Sequence, residues 1–215
     1  STTAKLSSGR MGNSGLIGNF GPSMEKTYAD SITSEAVNLL PTGSFPGEIV
    51  VVDRSELIAD ACAYLSECDV IGYDTETRPS FTKGVMNKVS LLQLSSGERA
   101  FLFRLNRIAL EKPLLQLLSS DRVVKAGVAI RDDIRVLRQL RHFTPGGFVE
   151  LQNIAPEYGI TDKSLRKLAA IVLSVRISKA QRLSNWEAKQ LTPAQQLYAA
   201  TDAWIGREIY LKLKR

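Results

Sequence analysis

The chain has 215 residues, of which 44% are hydrophobic and 23% charged, a balance typical of a globular domain with a substantial core. No apolar run is long enough to span a bilayer and no secretory signal is evident, which predicts a protein that is not secreted and has no membrane partner: cytoplasmic, or nuclear in a eukaryote. The two cysteines argue against a disulfide framework, and the net charge of +6 is compatible with a polyanionic partner.

Three segments differ in composition. Residues 1–23 are rich in Gly, Ser, Thr and Asn and contain no acidic residue, which predicts a flexible leader, either native or added for expression. Residues 24–47 are expected to form an irregular N-terminal extension. Residues 48–215 are expected to form the folded domain.

Strand and helix patterns alternate along that domain. Strands are expected at 48–52, 70–76, 88–95, 99–105, 123–130 and 148–151. Helices are expected at 55–66 (capped by Ser55), 111–118, from about 132, 153–158, 164–173 and 193–213. Ser96 followed by Gly97 predicts a hairpin, so an antiparallel meander should precede the parallel strands. The expected fold is α/β, with a mixed five- or six-stranded sheet flanked by helices.

Asp74 and Glu76 follow the apolar run 70–73 at the end of the second expected strand. Because side chains alternate across a strand, residues two apart point to one face, roughly 7 Å apart along the backbone. Two carboxylates there would repel each other, and a divalent cation such as Mg²⁺ or Mn²⁺ would relieve the repulsion. The alternative is a solvated turn leaving the strand, which is the favoured interpretation when this motif is taken alone, so the rest of the chain has to decide.

Tyr198 and Asp202 lie four residues apart in the last expected helix, so they share a face that continues to Ile205 and Ile209. An acid within a buried apolar stripe needs a partner, and a metal ion shared with the two strand acids would provide one. The alternative is an ordinary core tyrosine beside a solvated acid.

A further acid begins the helix expected near residue 132. Asp132 or Asp133 could cap free N–H groups there, but a strand-to-helix junction is also where α/β folds place their sites. Asp133 shares a face with Leu137 and Leu140 and is expected to point inward. Asp132 is the better candidate for the cap.

Taken in order, these motifs resemble those of a known nuclease family. Asp-x-Glu in VIGYDTET, an aspartate in GVAIRDDI and Tyr-x-x-x-Asp in LYAATDAW resemble the DEDDy class of 3′-5′ exonucleases, which includes ribonuclease D and the exonuclease domain of the Werner syndrome protein. The resemblance covers roughly residues 48–213, implies a ribonuclease-H-like fold, and selects Asp133 as the second-motif acid. No helicase or polymerase motif is present, so a stand-alone nuclease with no obligate protein partner is expected.

The resemblance implies a metal-dependent 3′-5′ exonuclease that acts on the 3′ end of DNA or RNA and releases nucleoside 5′-monophosphates. It implies two divalent cations, Mg²⁺ or Mn²⁺, bound by Asp74, Glu76, Asp133 and Asp202, which activate water and stabilise the leaving 3′-oxygen. Tyr198 would orient the attacking water, because an ordinary tyrosine pKa of about 10 makes it a poor base at neutral pH.

Candidate contacts to the nucleic acid are basic or aromatic. Arg131, Arg135 and Arg138 form a stripe on the helix that begins beside Asp133, although a solvated basic face would give the same pattern. Phe81, which could stack on a terminal base, and Lys83 lie in the loop after the Asp-x-Glu motif, and Lys88 comes directly after that loop. Lys179 and Arg182 are further candidates.

Two other interpretations stay open. The first is a catalytically inactive ribonuclease-H-like protein that binds nucleic acid or serves as a scaffold, which the loss of a metal-binding acid would favour. None of the four acids is missing. The second is another two-metal nuclease of similar fold, which would not call for the Tyr-x-x-x-Asp pair.

Overall fold

The computed structural model describes residues 28–214, so the predicted leader 1–23 lies outside the described residues. The strands are β1 Glu48–Val52, β2 Val70–Thr77, β3 Val89–Ser95, β4 Arg99–Arg104, β5 Val124–Gly127 and β6 Phe148–Glu150. The helices are α1 Ser34–Asn38, α2 Ile58–Ser66, α3 Lys112–Ser119, α4 Ile130–Leu140, α5 Leu151–Ile154, α6 Leu165–Leu173 and α7 Pro193–Leu213. Single 3₁₀ turns cover Ser55–Leu57 and Ala155–Tyr158.

The strands form one mixed sheet in the order β1-β4-β3-β2-β5-β6. Strands β2, β3 and β4 are the expected antiparallel meander. The pairs β1–β4, β2–β5 and β5–β6 are parallel. The predicted α/β class and mixed sheet are therefore confirmed, with six strands.

Helices cover both faces of the sheet. On one face, α2, α3 and α4 pack on side chains such as Ile71 and Tyr73 of β2. On the other face, α6 and α7 pack against each other and on the sheet, with Ile205 and Ile209 fully buried. Alternation along β2 thus sends Tyr73 into the first core and leaves Gly72, Asp74 and Glu76 facing α7.

Gly72 allows α7 to lie directly on the backbone of β2. A Cβ atom at this position would stand 1.7 Å from the carbonyl oxygen of Ala203, so any side chain would push the helix away. Because Asp202 precedes Ala203 and Asp74 lies two residues beyond Gly72, this close approach brings the two acids together.

Two helix starts differ from the expectation. The fifth strand was predicted to run through Ile130, but β5 ends at Gly127 and α4 already begins at Ile130. Ala129 adopts a left-handed backbone, φ 56°, and breaks the strand from the helix. The predicted Ser55 cap is also wrong, because Ser55 lies inside a 3₁₀ turn and its hydroxyl donates to Glu111 instead.

The described part of the N-terminal extension is mostly irregular and packs on the domain. Thr42 forms an isolated parallel bridge with Arg176, and Phe45 is buried edge-on against Trp204. Its backbone N–H also donates to the hydroxyl of Thr201, one residue before Asp202. Within residues 28–214, no helix has the length and apolar character needed to cross a membrane.

Candidate active site

Three carboxylates converge where the carboxyl end of β2 meets α7. One oxygen each from Asp74, Glu76 and Asp202 lies within 4.8 Å of the others, and we call these three residues the acid cluster. Strand alternation sets the first two on one face, and the close packing of α7 supplies the third. The two motifs predicted to share a site are therefore adjacent in the fold.

The acid cluster holds more negative charge than its surroundings stabilise. Burial, followed by repulsion from Glu76, Asp202 and Asp133, raises the carboxyl pKa of Asp74 well above its usual value. Burial and the Asp202 charge raise the pKa of Glu76 to about 8. Burial likewise raises the pKa of Asp202 to about 6, against the opposing influence of Arg166. Without a cation the cluster is thus driven towards protonation.

Arg166, at the start of α6, is a functional candidate that sequence analysis missed. Its Nη2 atom lies 3.4 Å from a carboxylate oxygen of Asp202 and 3.1 Å from the hydroxyl of Tyr198. The same atom donates to the carbonyl of Ser178 in the loop before α7. Helical periodicity did not distinguish Arg166 from the other basic residues, because Tyr198, Asp202 and Ser178 are distant from it in the sequence.

Tyr198 is buried beside the acid cluster, one turn before Asp202 on α7. Its ring packs on Trp186 with the centroids 5.8 Å apart, and the Arg166 guanidinium lies over the ring. Burial and the Asp202 charge raise the pKa of the Tyr198 hydroxyl above its usual value, which leaves it a hydrogen-bonding group and a poor base.

Asp133 lies outside the trio but close enough to interact with it. It occupies the first turn of α4, and its charge raises the pKa values of both Asp74 and Glu76. Burial raises the pKa of Asp133 itself to about 6, offset by hydrogen bonding to the Thr75 side chain. The inward direction expected for Asp133 agrees with this environment.

The side chain of Asp132 points into solvent, and it does not cap α4. Its side chain is 86% exposed and lies 3.8 Å from Arg135. The cap is Glu150, at the end of β6, whose carboxylate accepts hydrogen bonds from the backbone N–H groups of Ala129 and Ile130. A cap supplied from another strand leaves no local signal in the sequence of the helix.

The acid cluster fits a divalent cation by the chemistry of its donors. Its oxygens are hard anionic ligands of the kind that Mg²⁺ and Mn²⁺ prefer. Within residues 28–214, Arg166 is the only cation that forms an ion pair with the cluster. A single positive charge cannot balance the three carboxylates of the cluster, and Asp133 adds a fourth acid nearby.

The loop candidates for substrate contact lie on two loops, one that follows β2 and one that precedes α7. Phe81, Lys83 and Lys88 lie on the exposed loop that follows β2, and Phe81 is 85% exposed. Lys179 and Arg182 are exposed in the loop before α7. Glu187 of the loop before α7 lies 3.9 Å from Arg78 of the other loop and accepts a hydrogen bond from Ser90 at the start of β3.

The arginine stripe on α4 is exposed but only partly available. Arg138 donates to the carbonyl of Phe143 and bonds His142, and Arg135 faces Asp132. Arg131 is exposed, beside the open cleft next to Glu150. Of the three arginines, Arg131 is therefore the one with the fewest contacts to other residues and the most available to bind a phosphate. Arg138 instead stabilises the carboxyl end of α4.

Comparisons with known proteins agree with this geometry. Residues 49–215 match the family model of the 3′-5′ exonuclease. The chain is 36% identical over 184 residues to the bifunctional 3′-5′ exonuclease/ATP-dependent helicase WRN of Mus musculus, an alignment that covers 81% of the chain and 13% of the relative. It is 29% identical over 167 residues to ribonuclease D of Haemophilus influenzae, covering 77% of the chain and 41% of the relative.

A solved structure shows the same fold. The EXO domain of Nibbler from Aedes aegypti superimposes with a TM-score of 0.73 at 21% identity, covering 80% of this chain and 91% of that one. The chain spans less than half the length of both curated relatives.

Proposed function

The chain belongs to the 3′-5′ exonuclease family, and from that membership and its site geometry we propose that it is a metal-dependent 3′-5′ exonuclease. It hydrolyses phosphodiester bonds from the 3′ end of DNA or RNA and releases nucleoside 5′-monophosphates. The observation that carries the proposal is the convergence of Asp74, Glu76 and Asp202, with Asp133 and Tyr198 beside them.

Each residue of the site has a distinct task. The acid cluster and Asp133 would hold two divalent cations, Mg²⁺ or Mn²⁺, and these would supply the Lewis acidity that activates water and stabilises the leaving 3′-oxygen. The charges of all three other acids act on Asp74, which makes it the central carboxylate of the proposed ligand set. Asp202 is buried and the other two acids of the cluster are partly buried, which strengthens their attraction for a cation.

Tyr198 orients the water that attacks the phosphorus. Its hydroxyl stands beside Asp202, and its raised pKa keeps the proton on the phenol at neutral pH. The ring is fixed between Trp186 and Arg166, so the hydroxyl has little freedom to move. Preorganised placement of this kind lowers the entropic cost of the reaction.

The substrate end reaches the site beside the loop after β2 and the loop before α7. Lys83, Lys88, Lys179 and Arg182 neutralise backbone phosphates, while Arg131 extends the path along α4. Phe81 stacks on a terminal base, which needs no particular sequence.

Product analysis on a substrate panel tests the proposal. Single- and double-stranded DNA and RNA are incubated with Mg²⁺, Mn²⁺ or EDTA, and the products are separated by chromatography. Nucleoside 5′-monophosphates are expected from at least one substrate with metal and from none with EDTA. Asp202→Asn should be inactive, whereas the matched control Asp132→Asn should be active. A protein that binds metal and nucleic acid yet cleaves nothing would instead be an inactive binding module.

A further inference from the structure

Arg166 brings a largely buried positive charge to a site otherwise made of acids. Its side chain is 20% exposed, against 5% for that of Asp202. We propose that Arg166 is a positioning residue that holds the Tyr198 hydroxyl and, by partly neutralising the acid cluster, weakens metal binding while raising turnover. This inference rests on the proposed exonuclease function and assigns a task to a residue outside its set of acids.

The hydrogen bonds of Arg166 show which contacts it can give up. A single atom, Nη2, has two hydrogens but faces four acceptors. The contacts to Ser178 and to the Tyr198 hydroxyl, 2.5 and 3.1 Å, are shorter than the two contacts to Asp202, 3.4 and 3.5 Å. A cation that binds Asp202 therefore competes with the longest, weakest contacts and leaves the hold on Tyr198 in place.

The space beside Arg166 allows both to be present together. Arg166, Asp74 and Asp202 line a common cavity of about 160 Å³, together with Tyr73 and Gly127. That volume is ample for several water molecules. The Nε atom of Arg166 is also buried without a hydrogen-bond partner, so the guanidinium has a donor to spare for a further oxygen.

The formal charges of the loaded site explain why Arg166 can stay next to the acid cluster when metal ions are bound. Four carboxylates, two divalent cations and one phosphodiester together carry a net charge of minus one. The Arg166 guanidinium brings that sum to zero in the loaded site. In the metal-free protein the same charge offsets carboxylate repulsion, which is why it lowers the pKa of both Glu76 and Asp202.

Metal binding and turnover are expected to change in opposite directions when Arg166 is removed. In Arg166→Met, the dissociation constant for Mn²⁺, measured by calorimetry on EDTA-stripped protein, should tighten by at least about threefold because a repelling charge is gone. At saturating Mn²⁺, kcat on a labelled oligonucleotide should fall by about tenfold or more because Tyr198 loses its anchor, with little change in KM. A structural defect alone would weaken both.

Two further variants separate charge from geometry. Arg166→Lys keeps the positive charge but lacks the planar guanidinium group with its several N–H donors. The Mn²⁺ affinity should therefore return towards the wild-type value while kcat stays low. Lys167→Met removes one charge from the same helix, where Lys167 lies 3.9 Å from Asp162, and should change neither quantity. Unchanged or weaker Mn²⁺ binding in Arg166→Met, or full kcat at saturating metal, overturns the inference.

The two readouts also distinguish this inference from the proposed function. Calorimetry needs no catalysis, so it reports on Arg166 even if wild-type protein cleaves no substrate. An inactive wild type with tighter metal binding in Arg166→Met would refute the exonuclease proposal and retain the charge effect. An active wild type with unchanged binding in the variant would do the reverse.

Discussion

Replacing Glu150 should destabilise the start of α4 by removing a cap that comes from another strand. The carboxylate accepts hydrogen bonds from the N–H groups of Ala129, Ile130 and Gln152 at 3.0, 2.9 and 3.1 Å. It therefore serves the N-termini of both α4 and α5. The positive end of the α4 dipole adds to the attraction for the Glu150 charge.

The expected magnitude follows from these contacts. Losing one helix cap costs about 0.5–2 kcal/mol, so Glu150→Ala, which removes the cap of two helices, should lower the free energy of unfolding by about 2 kcal/mol. For a domain of this size that corresponds to a fall in Tm of about 4–8 °C. Glu150→Gln keeps a neutral acceptor and loses the charge, so its Tm should lie between those of Glu150→Ala and wild type.

Thermal melts followed by circular dichroism in EDTA provide the assay. Glu157→Ala is the matched control, because Glu157 is an exposed glutamate on the neighbouring 3₁₀ turn. Its Tm should match that of wild type. If Glu150→Ala melts with wild type, or if Glu157→Ala loses as much, the carboxylate does not cap α4.

Three further outcomes are expected. In Asp74→Asn and in Asp202→Asn, the turnover number should fall by orders of magnitude, and adding Mn²⁺ should no longer raise the Tm. If either variant keeps the wild-type rise in Tm, the substituted residue is not a metal ligand. Asp133→Ala should lose nearly all activity in a labelled-substrate assay, whereas Asp132→Ala should retain most of it, and inverted results would exchange their roles. The carboxyl pKa is raised to about 8 for Glu76 and to about 6 for Asp133 and Asp202. The folded metal-free protein therefore keeps protons that these groups release at about pH 4 in the unfolded chain. This contribution to stability is fully present below about pH 4 and is lost as the pH rises to about 8, so the Tm measured in EDTA should fall between these two pH values. Adding Mn²⁺ should restore the Tm at the upper end of the range. A Tm that rises with pH in EDTA would contradict the raised pKa values.

The sequence predicted the parts of the site that local periodicity determines. Asp74 and Glu76 share a face because strand side chains alternate, and Tyr198 and Asp202 share one because a helix repeats every four residues or so. The same reasoning gave the inward direction of Asp133. Each of these inferences needed only the order of residues within one element.

The parts that it missed depend on contacts between distant elements. Arg166 meets Tyr198 and Asp202 across the packing of α6 on α7, and Glu150 reaches α4 from the end of β6. Ser55 failed as a cap because Glu111 binds its hydroxyl. Periodicity identifies the face of a helix but not the neighbour that covers it, so these residues had no signal in the sequence.

Digestion of a 5′-labelled oligonucleotide tests the central claim most directly. With Mn²⁺, the account predicts labelled products that shorten by one nucleotide at a time from the 3′ end, and no shortening when EDTA is added first. In the proposed mechanism, the acid cluster holds the cation that the reaction requires. Immediate release of a labelled mononucleotide, which shows attack at the 5′ end, or shortening that continues in EDTA, would contradict it.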